Sequence, residues 1–258
     1  MYPELLSFGP FTIYTYGLMI AIGILAAYAM TERRAKACHC ERKYLDPLLF
    51  TVLIAGFAGA KLLYLLTDLP AILQDPAIIW RDFGSGWVVY GGLIGGILGG
   101  YVYLKHKGQP FLPYFDWLIP GVALAQAFGR LGCFFAGCCY GVEVHNHFGI
   151  VFPEGGMAPA GVTLFPTQLL SSLFDFALTA FLIWIARRKT WNGEVGAWYL
   201  VLYALGRFAI EFFRGDMIRG YVGALSTSQF ISLFAFAAGL VLIFVMHHRS
   251  AKAGGKQA

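Results

Sequence analysis

Charge is what this chain has least of. Asp, Glu, Lys and Arg make up 13% of its 258 residues, about half of the roughly 25% found in soluble domains. A surface built from so few charges cannot be solvated all round. With 58% hydrophobic residues and a mean hydropathy of +0.65, the apolar runs leave no room for a soluble domain, so the composition reads as an integral membrane protein. The formal charge of +5 does not point to nucleic acid, because the basic residues sit in short loops between apolar runs. Other absences narrow the reading further. Met1-Tyr2-Pro3-Glu4 has no basic n-region and no small-residue cleavage site follows, so the first apolar run is expected to be a retained helix. No internal repeat pairs the two halves, which argues against a transporter.

A spanning helix needs about 20 mostly apolar residues. Seven stretches qualify, at roughly 11–31, 47–67, 86–105, 113–136, 166–187, 194–213 and 226–247. The expectation is one all-α seven-helix transmembrane domain over 1–258. The loop after the first stretch holds five Lys and Arg, the loops after the third and fifth hold two and three, and the tail holds three, thirteen of nineteen in all. Arg81, Arg214 and Arg219 fall on the other side, and Lys61, Arg130 and Arg207 within apolar stretches. By the positive-inside rule the N-terminus is outside and the C-terminus cytoplasmic. On the outer side, the 68–85 loop carries Asp68, Asp75 and Asp82, whereas the 137–165 loop has no Lys or Arg and contains Phe152-Pro153-Glu154-Gly155-Gly156. That second loop is long enough to be an ordered cap.

Glycine is abundant in the third stretch. The spacing of Gly91 with Gly95 and of Gly96 with Gly100 predicts close helix packing, with a lipid headgroup as a second reading at Gly91 and Gly92. Lys61 and Tyr64, and Tyr16 in the first stretch, add polar groups to apolar helices; tyrosines at such places commonly form an interfacial belt.

Two clusters carry chemistry. Gly129-Arg130-Leu131-Gly132 places a guanidinium in an apolar segment at a cost of roughly 2.5–3.5 kcal/mol on insertion scales, which marks a functional site unless the side chain snorkels to the interface. In the sixth stretch, Tyr203, Arg207, Glu211 and Arg214 fall within roughly 80° of one helix face. An Arg207–Glu211 pair at i,i+4 could neutralise itself. Three guanidiniums against the single carboxylate of Glu211 instead suggest a positive site for an anion, and Arg is suited to bidentate phosphate. In a bilayer that anion is a phospholipid headgroup. Asp116 and Asp175 are read as lying near the cytoplasmic side, paired with basic neighbours and without a chemical role.

Cys133, Cys138 and Cys139 fit no zinc spacing even with His145 or His147, and vicinal cysteines do not ordinarily ligate one ion without strain. Packing is the expectation, with no metal and no cofactor; a membrane thiol-redox protein built on the three is the alternative. Cys38 and Cys40 are expected to be cytoplasmic and reduced, with His39 an exposed loop residue.

Tyr16-Gly17-Leu18-Met19, Tyr90-Gly91-Gly92-Leu93-Ile94-Gly95, Gly129-Arg130-Leu131-Gly132, Pro166-Thr167-Gln168-Leu169, and Gly206-Arg207-Phe208 through Glu211-Phe212-Phe213-Arg214 occur in an order and spacing that resembles the prolipoprotein diacylglyceryl transferase family. The resemblance implies a multi-pass enzyme of the bacterial inner membrane. It would move the diacylglyceryl group of phosphatidylglycerol to the lipobox cysteine thiol of a secreted prolipoprotein. It also implies Arg130, Arg207, Tyr90 and Glu211 as catalytic residues, and Tyr16, Gly91, Gly92, Cys133, Cys138, Tyr203 and Arg214 as substrate-binding. The departures are Tyr90 at the family's histidine, Cys133 at an asparagine, Cys138 at an acid, Phe165 at a histidine and Ser171 where an acid is common. A paralogue with another lipid donor or thiol acceptor would explain them.

Overall fold

The computed structural model describes residues 4–8, 11–35, 40–81, 86–145, 147–154, 156–216 and 220–254. Lys36, Cys38, His39, Asp82, Gly155, Arg219 and Lys256 lie outside them. The chain divides into two compact units, residues 39–114, and residues 1–38 with 115–258. It is mostly helical, and five helices among the described residues are long and apolar enough to cross a membrane: Thr15–Arg33, Arg42–Thr67, Phe111–Ala136, Thr167–Ala186 and Thr227–His248.

The 39–114 unit is built on helix α2 (Leu45–Thr67) and helix α5 (Val89–His106), with short helices α3 (Leu69–Gln74) and α4 (Ile78–Arg81) between them. What was read as an outer loop is therefore partly helical, started by Pro70 in the first turn of α3 and held by the Arg81–Asp75 ion pair at 3.1 Å. The glycine spacing of α5 does serve packing. A Cβ at Gly91 or Gly95 would collide with the Gly59 or Ala55 carbonyl of α2, and one at Gly59 would stand 3.0 Å from the Gly95 Cα. Lys61 rests over the rings of Tyr64 and Trp87, 4.8 and 5.2 Å from their centroids, a cation–π arrangement that shelters its charge.

In the other unit, Phe11–Tyr14 opens no helix. These residues form strand β2, paired antiparallel with β1 (Glu4–Phe8), and helix α1 runs from Thr15 to Arg33. The aromatic and β-branched run Phe11-Thr12-Ile13-Tyr14 favours a strand over helix propagation. Helix α6 (Phe111–Ala136) is tied to α1 by the Trp117 indole, which donates to the Thr31 carbonyl at 2.7 Å, and by Arg34, which donates to the Trp117 carbonyl at 3.2 Å. Helices α7 (Thr167–Ala186) and α8 (Glu194–Glu211) pack on α6 through Ile119, Ala123, Leu178, Leu182, Val195 and Tyr199. The expected pairing of Asp116 holds. Its carboxylate meets Lys189 at 2.9 Å and accepts the Gly193 and Gly196 N–H groups at 2.7 and 3.0 Å, which caps the start of α8.

The described residues of the segment after α6 include a short strand pair. Strands β3 (Ile150–Val151) and β4 (Thr163–Leu164) pair antiparallel over a small core of Phe152, Ala158 and Leu164. The hydrogen bonds Gly141 N–H to Phe165 O and Val142 N–H to Phe213 O, both 2.9 Å, fasten its start to the chain around α7 and α8. A second short hairpin, β5 (Tyr221–Val222) with β6 (Leu225–Ser226), leads into helix α9 (Thr227–Gly254).

Candidate functional site

Helices α6, α7 and α8 enclose a narrow cavity lined by Arg130, Ser171, Phe174, Asp175, Tyr203, Arg207 and Ile210. Each helix contributes polar groups to an otherwise apolar face. On α7, Ser171 and Asp175 are one turn apart, so both project to one side, and Asp175 is buried at 2% exposure. Asp175, expected to lie near the cytoplasmic side without a chemical role, sits midway along α7. It shares the cavity with two guanidiniums, and the polar stripe Gln168, Ser171, Asp175 and Thr179 at three- and four-residue spacing was the signal that marked its face.

Arg207 pairs with Glu211 at 2.9 Å, a contact close in distance but not aligned as a hydrogen bond, and donates to Ser228 Oγ at 2.9 Å. Arg214 departs from expectation. Helix α8 ends at Glu211, and Arg214 lies beyond it in a β-bridge with Gly141. Its side chain still turns back to Glu211 at 3.9 Å while Asp216 holds it at 3.0 and 2.6 Å. Burial is the largest single influence on Arg214 and would lower its pKa, but the hydrogen bonds to Asp216 together with the charges of Cys139, Asp216 and Glu211 outweigh it and the net direction is upward. The uncompensated positive field is likewise corrected: Glu211, Asp175 and Asp216 stand among the three guanidiniums.

Arg130 is the exception. It makes no hydrogen bond or ion pair with any described residue, and the groups acting on it, Tyr203, Cys133, Cys139 and Asp175, do so through space. Its five donors remain available for a planar acceptor.

Tyr16 joins this region from α1. A Cβ at Gly132 would stand 3.1 Å from the Tyr16 ring, and Tyr16 lies within electrostatic reach of Arg130, Cys133, Cys138 and Cys139. Tyr203 stacks on Tyr199 at 5.3 Å, and the Tyr199 hydroxyl donates to Gln126 at 2.9 Å. The Sγ atoms of Cys133, Cys138 and Cys139 lie within 4.8 Å of one another. The Cys138 thiol donates to the Cys133 carbonyl at 3.7 Å, and the adjoining Cys133 and Cys138 thiols, with Arg214 and Arg130 beyond, hold the Cys139 thiol below its ordinary range. Thus Arg130, Arg207, Glu211, Arg214, Tyr16, Tyr203, Cys133 and Cys138 all belong to one unit. Tyr90, Gly91 and Gly92 belong to the 39–114 unit, at the start of α5.

The family model described as "Prolipoprotein diacylglyceryl transferase" matches residues 3–245. A Clostridium perfringens protein named phosphatidylglycerol–prolipoprotein diacylglyceryl transferase 2 is 45% identical over 95% of both chains. A Clostridium tetani protein named phosphatidylglycerol–prolipoprotein diacylglyceryl transferase is 42% identical over 96% of this chain and 99% of its own, and a Finegoldia magna protein of the same name is 31% identical over 89% and 90%. With the match running through every helix described above, the chain belongs to the prolipoprotein diacylglyceryl transferase family.

Proposed function

We propose that this chain transfers the diacylglyceryl group of phosphatidylglycerol to the lipobox cysteine thiol of a prolipoprotein, releasing glycerol phosphate. Its relatives carry that activity in their names, and the observation that carries the reading to particular atoms is the unpartnered guanidinium of Arg130 in the α6–α7–α8 cavity. In the reaction, the acceptor thiol gives its proton to water, its sulfur attacks a glyceryl carbon and a carbon–sulfur bond forms. The carbon–oxygen bond to phosphate breaks, and the phosphate oxygen leaves with the electron pair. Charge then gathers on phosphate, where preorganised donors lower the barrier. Arg130 takes that charge, with Arg207 beside it. Glu211 holds Arg207 in place, Arg214 and Asp216 support Glu211 from behind, and Tyr203, Tyr16, Cys133 and Cys138 line the approach. Tyr90, in the 39–114 unit, keeps the catalytic role that the resemblance implies for it, and Gly91 and Gly92 the substrate-binding one.

The same reading includes seven spanning helices, with α5 and α8, 18 residues each, added to the five longer ones. The N-terminus is outside, and the location is the bacterial inner membrane. The thiol-redox alternative has no support among the relatives.

The test is transfer of label from radiolabelled phosphatidylglycerol to a lipobox peptide by the purified wild type, Arg130→Ala, Arg207→Ala and Tyr90→His. Transfer by the wild type and its loss in both arginine variants are expected. Full activity in Arg130→Ala would overturn the phosphate role. Silence of the wild type with activity in Tyr90→His would mean that the fold is kept while the native chemistry has moved.

A further inference from the structure

Two residues that depart from the family pattern, Cys133 and Cys138, are brought together with Cys139. Cys133 ends the last turns of α6, and Cys138 and Cys139 follow the helix, yet their three sulfurs lie within 4.8 Å of one another. Vicinal side chains in extended backbone point to opposite sides, so convergence of Cys138 and Cys139 needs a special backbone. The backbone supplies it. Cys139 has φ +59°, the only non-glycine positive φ among the described residues, and Gly137 has φ +72°. A left-handed residue that is not glycine costs about 1–3 kcal/mol and persists only where its surroundings over-determine it. Here they do. Thr167 Oγ1 donates to the Cys139 carbonyl at 2.7 Å and Gln168 Nε2 to the Cys138 carbonyl at 2.8 Å, so the start of α7 fixes both peptide units of the turn. This meets the objection that two adjacent cysteines cannot serve one centre without strain: the strain is present and is held.

The convergence also has the dimensions of a metal centre. Zinc–sulfur bonds of about 2.3 Å at tetrahedral angles set sulfurs about 3.8 Å apart, within reach of small side-chain rotations from the observed spacing. Thiolates select soft ions such as Zn2+ or Cu+. Among the described residues no histidine or carboxylate joins the three sulfurs, and Cys138 and Cys139 are half-buried, not sealed. Structural zinc sites close their shell with four protein ligands, whereas reactive ones offer three and leave a position open. Three thiolates and one Zn2+ carry a net negative charge, and Arg130 and Arg214 both act on Cys139 from nearby.

We propose that Cys133, Cys138 and Cys139 form a three-thiolate Zn2+ site whose fourth position takes the thiol of the acceptor. The identity of that fourth ligand rests on the transfer proposed above; the three-thiolate site does not. A thiol bound to Zn2+ gives up its proton to solvent and remains a nucleophile. Its sulfur then forms the bond to the glyceryl carbon as the carbon–oxygen bond to phosphate breaks, and no electron is gained or lost by the metal. The site thereby supplies thiol activation in a chain that has Tyr90 where the family has histidine.

The test uses the purified, reduced protein in detergent with Cys38→Ser and Cys40→Ser, so that the three sulfurs are the only thiols. Titration with Cd2+, a spectroscopic stand-in for Zn2+, is expected to give a thiolate charge-transfer band saturating at one ion per chain. Cys133→Ser, Cys138→Ser and Cys139→Ser are each expected to weaken binding by roughly tenfold or more. A lipobox peptide added to the loaded protein should raise the band by about one third, as three thiolates become four, and its Cys→Ser analogue should not. No band on the reduced protein, or a disulfide among the three in native membranes, overturns the site. A band that the peptide leaves unchanged overturns the acceptor role. Full transfer after exhaustive chelation overturns the zinc role while leaving the transferase reading intact, and absence of transfer with a normal Cd2+ titration overturns the transferase reading and the acceptor role while leaving the three-thiolate site intact.

Discussion

Asp216 grips the Arg214 guanidinium through both carboxylate oxygens, at 3.0 Å to Nε and 2.6 Å to NH2. With side chains 14% and 8% exposed, this is a nearly buried pair, and removing one partner strands the other's charge at a cost of about 3–5 kcal/mol. Asp216→Asn should therefore melt well below wild type in detergent, whereas Glu143→Gln, on an exposed residue, should not. Equal melting temperatures would show that the pair is solvated.

Arg130 has no such partner, so its loss should separate activity from stability. Arg130→Ala is expected to lower transfer by roughly 10²–10³-fold with a melting temperature close to wild type. Arg130→Lys should recover little, because an ammonium lacks the planar fork. A large fall in stability with either variant would instead identify Arg130 as a structural cation.

Asp175 competes with phosphate for the field of Arg130 and Arg207 in one cavity. Removing its charge should strengthen anion binding, so Asp175→Asn is expected to lower KM for phosphatidylglycerol several-fold. A raised KM would mean that the carboxylate touches the substrate directly.

The α2–α5 contact has no slack. A methyl on Gly59 would meet the Gly91 backbone, and overpacking of this kind costs typically about 1–3 kcal/mol. Gly59→Ala should lower the melting temperature measurably, while Gly17→Ala, where a Cβ meets nothing within 4 Å, should be neutral in packing.

The helices were legible because a bilayer demands long apolar runs, and Arg130, Arg207 and Glu211 because charge is conspicuous inside them. Asp175 was visible in the sequence, but its place in the cavity follows from helical phase with Gln168 and Ser171, not from which side of the membrane it is nearest. The β1–β2 hairpin was hidden because Phe11-Thr12-Ile13-Tyr14 is as apolar as the helix it precedes, and hydropathy does not distinguish the two. Arg214 was placed on a helix that in fact stops three residues earlier, where the chain turns to pair with Gly141. The meeting of the three sulfurs depends on a left-handed cysteine, a backbone state that composition does not encode.

Asp116 sits near the start of α6 and finds its donors, Lys189, Gly193 and Gly196, more than 70 residues later. During synthesis that carboxylate emerges long before the groups that satisfy it. A ribosome-bound intermediate ending within α7 therefore carries an orphan acid at the head of a spanning helix. Those donors exist only once the chain has been made through the start of α8, so the α7–α8 connection completes the head of α6.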